Sequence, residues 1–370
     1  MAYGFYRTLT IDKTKVPNTD QTNFPVLFSG TYSYLATVAN GGKVQNSSGF
    51  DIIFTSDSQG VTKLDHEIES YTATTGACVF WVRVPTVSTS ADTVIYLWYG
   101  NSAISSSQEN ITGVWDSNFK GVYHLPNGTT LTANDSTANP LNGTLVGDTA
   151  ALAGKINGAA TFDGTGDRID LSTSADGTKL DAGAEAEWTI EAWINSTNVT
   201  AEHKVLSWWD DAGSPNGYEY LLTVNSSGQP SSVFKNSLPE YPTQTSPDAI
   251  STNIWYHLVA TYIKNTTGGA TLYVNGVLKA SNNTGNYNIF AANNTYVSIG
   301  TGFNSAPTMA NPWIGGIDEV RFSNLRRSAD WIATEYNNHN SPSTFYTIGN
   351  ESSPSLIFQP IIPFIPMLVR

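Results

Sequence analysis

Short apolar runs of period two, cut by turn residues, constrain this 370-residue chain most strongly. The clearest is Val79-Phe80-Trp81-Val82-Arg83-Val84. Val79, Trp81 and Arg83 share one face, and Phe80, Val82 and Val84 share the other, because side chains alternate along an extended strand. β-Branched and aromatic residues suit such a pleated surface. Similar runs recur at 5–11, 24–28, 50–55, 66–71 and 93–99, separated by Gly41-Gly42, Ser48-Gly49 and Thr75-Gly76. Strands at this spacing predict a small β-sandwich over residues 1–105. The Ser-rich, aperiodic stretch that follows predicts a linker at 106–118. A second β-rich module extends over 119–350. Within it, Val274-Asn275-Gly276-Val277 predicts a type I′ hairpin. The sequence supports one short C-terminal helix, 329–336, with Ser328 as its cap and Ile332 and Tyr336 facing inward. The fold class is all-β.

Charge excludes some functions. Lys and Arg total 18 against 31 Asp and Glu, a formal net charge of −13. Nucleic-acid binding needs clustered cations to neutralise phosphate, so this balance argues against it. Anionic membrane surfaces are disfavoured for the same reason. Cys78 is the single cysteine, which rules out an intramolecular disulfide and a cysteine zinc site. It reads as a small buried hydrophobe. Residues 1–7 show no basic stretch followed by an apolar one, so no secretory signal is expected there. A polar, Asn/Ser/Thr-rich surface without an export signal fits a virion protein made in the host cytoplasm; a cell surface is the alternative.

The C-terminal 351–370 differ again. Pro360, Pro363 and Pro366 forbid a regular helix. The apolar residues between them, Leu356, Ile357, Phe358, Ile361, Ile362, Phe364 and Ile365, form too short a stretch to span a membrane. An extended apolar Pro-rich tail of this kind predicts a docking arm for another virion subunit or a second copy of the chain, and so a homo-oligomer.

The second module resembles the concanavalin A-like, laminin G-like jelly roll. The resemblance rests on ordered blocks: Gly121-Val122-Tyr123-His124-Leu125, Thr161-Phe162-Asp163-Gly164, Trp188-Thr189-Ile190-Glu191-Ala192-Trp193-Ile194, Trp255-Tyr256-His257-Leu258-Val259, Leu272-Tyr273-Val274-Asn275-Gly276 and Gly316-Ile317-Asp318-Glu319-Val320-Arg321-Phe322. The first module resembles a domain of unknown function that precedes such jelly rolls, through Phe50-Asp51-Ile52-Ile53-Phe54-Thr55, His66-Glu67-Ile68-Glu69-Ser70-Tyr71 and Trp98-Tyr99-Gly100-Asn101. Chains of this kind occur among tailed-phage structural proteins and microbial surface proteins. The resemblance therefore implies a virion surface or appendage protein, of capsid-decoration or tail-fibre type. The alternatives are an adhesin or carbohydrate-binding module and, less favoured, a glycoside hydrolase.

Candidate site residues follow. Glu187 and Glu191 share a strand face but sit about 13 Å apart at 3.3 Å per residue. Glycoside hydrolysis wants about 5–9.5 Å between its two carboxyls, so no catalytic residue is assigned. His66-Glu67-Ile68-Glu69-Ser70 begins like a zinc-protease motif but lacks its second histidine. Calcium, a hard cation, wants carboxylate and carbonyl oxygens. The resemblance implies a site of Asp318 with the Asp163-Gly164 turn. For glycans, rings that stack on sugar faces beside hydroxyl acceptors are expected at Trp208, Trp209, Asp210, Asp211, Tyr218, Tyr241 and Trp313.

Overall fold

The computed structural model describes residues 3–126, 131–172, 179–182, 185–210, 218–234, 243–282, 295–305 and 308–354. All strand pairs among them are antiparallel apart from one isolated bridge, Thr37 with Val44. The N-terminal module packs two sheets face to face. One runs in the order Tyr346–Ile348, Phe5–Ile11, Thr93–Tyr99, Ile53–Thr55, Lys63–Leu64. The other runs Gln21–Thr31, Ala77–Val87, His66–Thr72. Phe28, Phe54 and Phe80 meet between them, with ring centroids 5.5–6.3 Å apart.

The alternation read at 79–84 is present, and both of its faces are buried. Phe80 and Val82 fill the sandwich, whereas Trp81 points the other way and is equally inaccessible. Trp81 lies against the second module, 5.3 Å from the His124 ring and 5.5 Å from Trp115. A strand covered on both sides needs little polar surface, hence the half-buried Arg83 is the one charge in the run.

The second module is a jelly roll of two large sheets. The eight-stranded sheet runs Ala150–Ile156, Gly158–Asp163, Ile314–Ser323, Glu187–Ser196, Trp255–Ile263, Thr271–Val274, Val277–Ser281, with Phe119–Tyr123 also paired to Ile314–Ser323. The seven-stranded sheet runs Thr243–Thr245, Pro230–Phe234, Tyr218–Val224, His203–Asp210, Thr295–Ile299, Arg168–Ser172, Thr144–Val146. Trp188, Ile190, Ala192 and Ile194 alternate into the shared core, opposite Leu222, Val297 and Ile299. The hairpin at 274–277 forms as expected: Asn275 and Gly276 both have positive φ, 52° and 77°, and Val274 pairs with Val277.

The chain's end and its middle connection depart from the reading. Residues 106–118, expected as a linker, contain the short helix Ile111–Val114, and Val114 and Trp115 are fully buried. Trp115 is large and apolar, and it leaves water by packing at the module junction against Trp81 and Phe119. The helix Ala329–Asn340 is capped by Ser328, whose Oγ accepts from the Trp331 N–H at 3.1 Å. It runs four residues beyond 336 because Asn338 is drawn into the first module. There it accepts from the Leu27 N–H at 2.7 Å and donates to the Leu27 carbonyl at 3.0 Å. The strand Tyr346–Ile348 then pairs with Phe5–Ile11, so this part of 119–350 belongs to the first module's sheet. The docking residues Leu356, Ile357, Phe358, Ile361, Ile362, Phe364 and Ile365 lie outside the described residues.

One apolar cluster joins the first module's core, Trp115, Trp331, Ile332 and the jelly-roll residues Ile156, Val259 and Tyr273. The modules are therefore expected to unfold together, in a single calorimetric transition. Trp115→Ala should lower stability by about 3–5 kcal/mol, as large core deletions do. Two well-separated transitions in the unaltered protein would count against this coupling.

Candidate functional site at the module junction

The outer face of the eight-stranded sheet carries an unusual set of side chains, and a local slip in register explains it. Along Ile314–Ser323, Asp318 lies opposite Trp193 while Arg321 lies opposite Glu191, one residue out of step. Glu319 sits at the slip with φ 50°. This is a bulge, which re-aims side chains where it occurs. Ile317, Val320 and Phe322 consequently remain in the jelly-roll core, while Glu319 and Arg321 face the first module.

Five carboxylates from three parts of the chain converge there. Arg321 donates through Nη2 to Glu319 at 2.6 Å and through Nη1 to Glu335 at 2.7 Å, with Glu191 at 3.5 Å. Its guanidinium lies 4.5 Å from the Trp81 ring centroid and 5.0 Å from that of Trp115. His124 places Nδ1 2.9 Å from Glu319 and Nε2 3.3 Å from Glu67. Glu67 also accepts from the Trp115 indole at 2.6 Å and from Ser136 at 2.7 Å. Glu69 accepts from the Trp81 indole at 2.9 Å and from Asn157 at 3.1 Å. All five carboxylates come from strands of the two modules and the helix between them.

Burial and pairing divide the charge. Burial alone would lower the His124 pKa, but Glu319 and Glu67 outweigh it and hold the imidazole protonated, well above its usual value. Burial likewise opposes ionisation of Glu67, yet His124 and the N–H and O–H donors keep that carboxyl below its usual value. Burial pushes Glu69 up to about 8, with His124 opposing. Burial and then the neighbouring Glu335 push Glu191 well up, against Arg321. His257 is pushed down to about 3 by burial and by Arg321.

The zinc-protease look of 66–70 dissolves on the pleat. His66 faces the first module's core beside Phe54 and Phe80, away from Glu67, and burial pushes it down to about 4. Glu191 is buried among Arg321, Glu335 and His257, while Glu187, at the start of the same strand, accepts from the Arg326 N–H. The pair does not converge.

Asp318 and Gly164 do not form one site. Ile314, not Asp318, lies opposite Asp163. Four residues along a strand is about 13 Å. Asp318 Oδ2 instead accepts from the Lys155 and Ile156 N–H groups, both at 2.9 Å, and pins the bend before Gly158. Asp163 has different company: Asp148, Asp163 and Asp167 bring ligand oxygens within 4.8 Å of one another. Asp167 orients the group by accepting from the Asp148 and Asp163 N–H groups at 2.9 and 3.0 Å. Three carboxylates from two neighbouring turns can hold a hard cation.

Two of the expected glycan rings are internal. Trp208 is in the jelly-roll core beside Tyr220, because the strand's alternation sends it inward with Leu206. Trp313 is also fully buried, its indole donating to the Gly316 carbonyl at 3.2 Å. Trp209 and Tyr218 pair across neighbouring strands, and Asp210 pairs with Thr295. The side chains of Trp209, Asp210 and Tyr218, and all of Asp211 and Tyr241, lie outside the described residues.

His124, Glu319, Arg321 and Glu335 were not singled out as site residues. The available signal was charge inside apolar strand runs, as in Ile317-Asp318-Glu319-Val320-Arg321-Phe322, in a chain only 13% charged.

This architecture defines a two-module, all-β chain whose larger part is a concanavalin A-like jelly roll. Residues 163–333 match the concanavalin A-like lectin/glucanases superfamily, and residues 48–123 match a domain of unknown function (DUF2341). Among solved structures, domain 4 of AbnA, a GH43 extracellular arabinanase from Geobacillus stearothermophilus in complex with arabinotriose, is 19% identical. It covers 60% of this chain and 98% of its own, with a TM-score of 0.41. The Ruminococcus gnavus IT-sialidase CBM40 bound to α2,3 sialyllactose is 19% identical and covers 48% of this chain and 95% of its own, with a TM-score of 0.41. No curated protein matches. No described helix is long and apolar enough to cross a membrane.

The junction makes stability depend on pH in a defined direction. Glu69 is raised from 4.5 to about 8, so the folded protein holds a proton the unfolded chain releases. Its contribution is complete below pH 4.5 and is lost as pH rises through about 8. Glu69→Gln mimics the protonated form and is expected to flatten the fall in Tm across that range. An unchanged slope in thermal melts would contradict the assignment.

Proposed function

We propose that this chain is a non-enzymatic architectural and recognition protein of a virion surface or appendage, which contacts surface glycans. One observation carries the reading: the carboxylates of the junction are all engaged in holding two modules together. Glu67, Glu69, Glu191, Glu319 and Glu335 are sealed with Arg321 and His124, where no polymer substrate reaches them. An ion cluster buried between two modules, with its charges paired on one another, suits a structural joint. Turnover needs acids with raised pKa in an open cleft. A cell-surface adhesin is the second reading; the superfamily matched at 163–333 includes lectins and supports it equally.

Two measurements test the proposal. In a screen of plant, algal and bacterial polysaccharides the protein is expected to bind without releasing sugar. Turnover that disappears in Glu191→Gln would overturn the non-enzymatic reading. Mass spectrometry of purified particles against cell-envelope fractions separates the locations: recovery only with envelopes would favour the adhesin.

Calcium belongs to this reading at the Asp148, Asp163 and Asp167 turns. An ion that binds only the folded state stabilises it by about 2.7 kcal/mol at a hundredfold excess over Kd. Tm is expected to rise in calcium over chelator, and the rise should vanish in Asp167→Asn. Equal melting in both conditions would remove calcium from the proposal.

A further inference from the structure

Arg327 is a second buried cation at the junction: Asp116, Glu335 and Glu191 act on its charge, but none makes an ion pair with it among the described residues. Its guanidinium lies between two rings, 4.4 Å from the Phe119 centroid and 4.2 Å from that of Trp331. The residue is only 5% exposed. Arg321 engages three carboxylates, whereas Arg327 makes no ion pair among the described residues. Its Nε is buried without a partner, and its Nη2 has only the Ser323 hydroxyl, at 3.4 Å. A desolvated guanidinium with so few acceptors is costly unless something supplies them.

Arg327 lines a cleft of about 310 Å³ between the modules, within the size range of small-ligand sites. The start of the strand Gln21–Thr31 forms one wall, the turn 116–118 another, and the cap of the helix Ala329–Asn340 the third. Gln21, Asn23, Asp116, Asn118 and Arg326 also line it. Several acceptors there are already committed: Asn23 Oδ1 takes two bonds from Arg83, and Asp116 Oδ1 takes the Asn118 N–H at 2.9 Å. Among the described residues, Asp116 Oδ2 and the Gln21 side-chain oxygen make no hydrogen bond and can receive hydroxyls. The helix N-terminus adds a favourable potential for negative charge.

We propose that this cleft binds a carboxylate-bearing saccharide, with the carboxylate on Arg327 and ring hydroxyls on Asp116, Gln21 and Asn118. The proposal deepens the glycan-contact reading above and rests on it. A planar carboxylate matches the guanidinium fork. The nearby Asp20 and Asp116 disfavour a dianion such as phosphate, while both can accept from hydroxyls.

Titration calorimetry with D-glucuronate tests it. Saturable binding is expected, at least tenfold tighter than to D-glucose or to the glucuronate methyl ester, which keeps the shape and removes the charge. Arg327→Lys, a point charge without the fork, should weaken glucuronate at least tenfold. Asn118→Ala, at the half-buried rim, should weaken it severalfold and covers the case in which the Arg327 variant fails to fold. Equal binding of acid and ester, or inorganic phosphate binding as tightly as glucuronate, would overturn the proposal, as would no saturable glucuronate binding. A wild-type protein that binds only neutral glycans on an array sinks the cleft and spares glycan contact. One that binds none sinks both.

Discussion

The Arg321 guanidinium, closed off from water between two indole rings, governs how the two modules sit together. A buried charge is tolerated only with good geometry and satisfied partners, and removing one partner costs about 3–5 kcal/mol. Here the partners arrive from separate places. Glu319 and Glu191 come from the jelly-roll sheet, and Glu335 comes from the helix. His124 extends the network to Glu67 on the first module. A misplaced module would strand several charges at once, so the cluster specifies one docking. The apolar cluster that joins both modules supplies the driving force, because burial of apolar surface is non-directional.

The same arrangement assigns the faces of the jelly roll. The eight-stranded sheet turns its outer side to the first module and to the helix Ala329–Asn340. Trp193 stacks on Tyr336, with centroids 5.8 Å apart, and its indole donates to His339. The central strands of that sheet are thereby withdrawn from solvent. The return of the chain through Tyr346–Ile348 to Phe5–Ile11 closes the joint, with Arg7 donating to the Gly349 carbonyl at 2.9 Å. Two modules sewn twice behave as one body, which suits a structural element.

Much of the fold was legible because it is written in local chemistry. The period-two runs locate strands, Asn275-Gly276 permits the left-handed turn, and Ser328 supplies the cap oxygen. The site was less legible for a geometric reason. The bulge at Glu319 changes which residues face outward; a strict alternation would put Glu319 and Arg321 on the core face with Ile317. Trp208 and Trp313 illustrate the converse problem. Trp208 is one of two consecutive tryptophans that alternate across a strand, and Trp313 sits in a loop-like stretch that reads as exposed, but both rings fill the core. Asp318 has the same lesson for charge: its carboxylate holds a backbone bend through two N–H groups, at a distance from the turn it was matched with.

By itself, the sequence determined the all-β class, the order of two modules, the jelly-roll resemblance, the hairpin and the helix start, since each depends on neighbours within a few residues. Only the tertiary structure decided that Val114 and Trp115, within residues 106–118, are buried at the module joint, that the helix and final strand serve the first module, and that His124, Arg321 and the glutamates form one cluster. Those outcomes depend on residues more than a hundred positions apart, such as His124 and Glu319, or Arg7 and Gly349. Their encounter is set by sheet register and by which faces must be removed from water, and neither is encoded in any single stretch of chain.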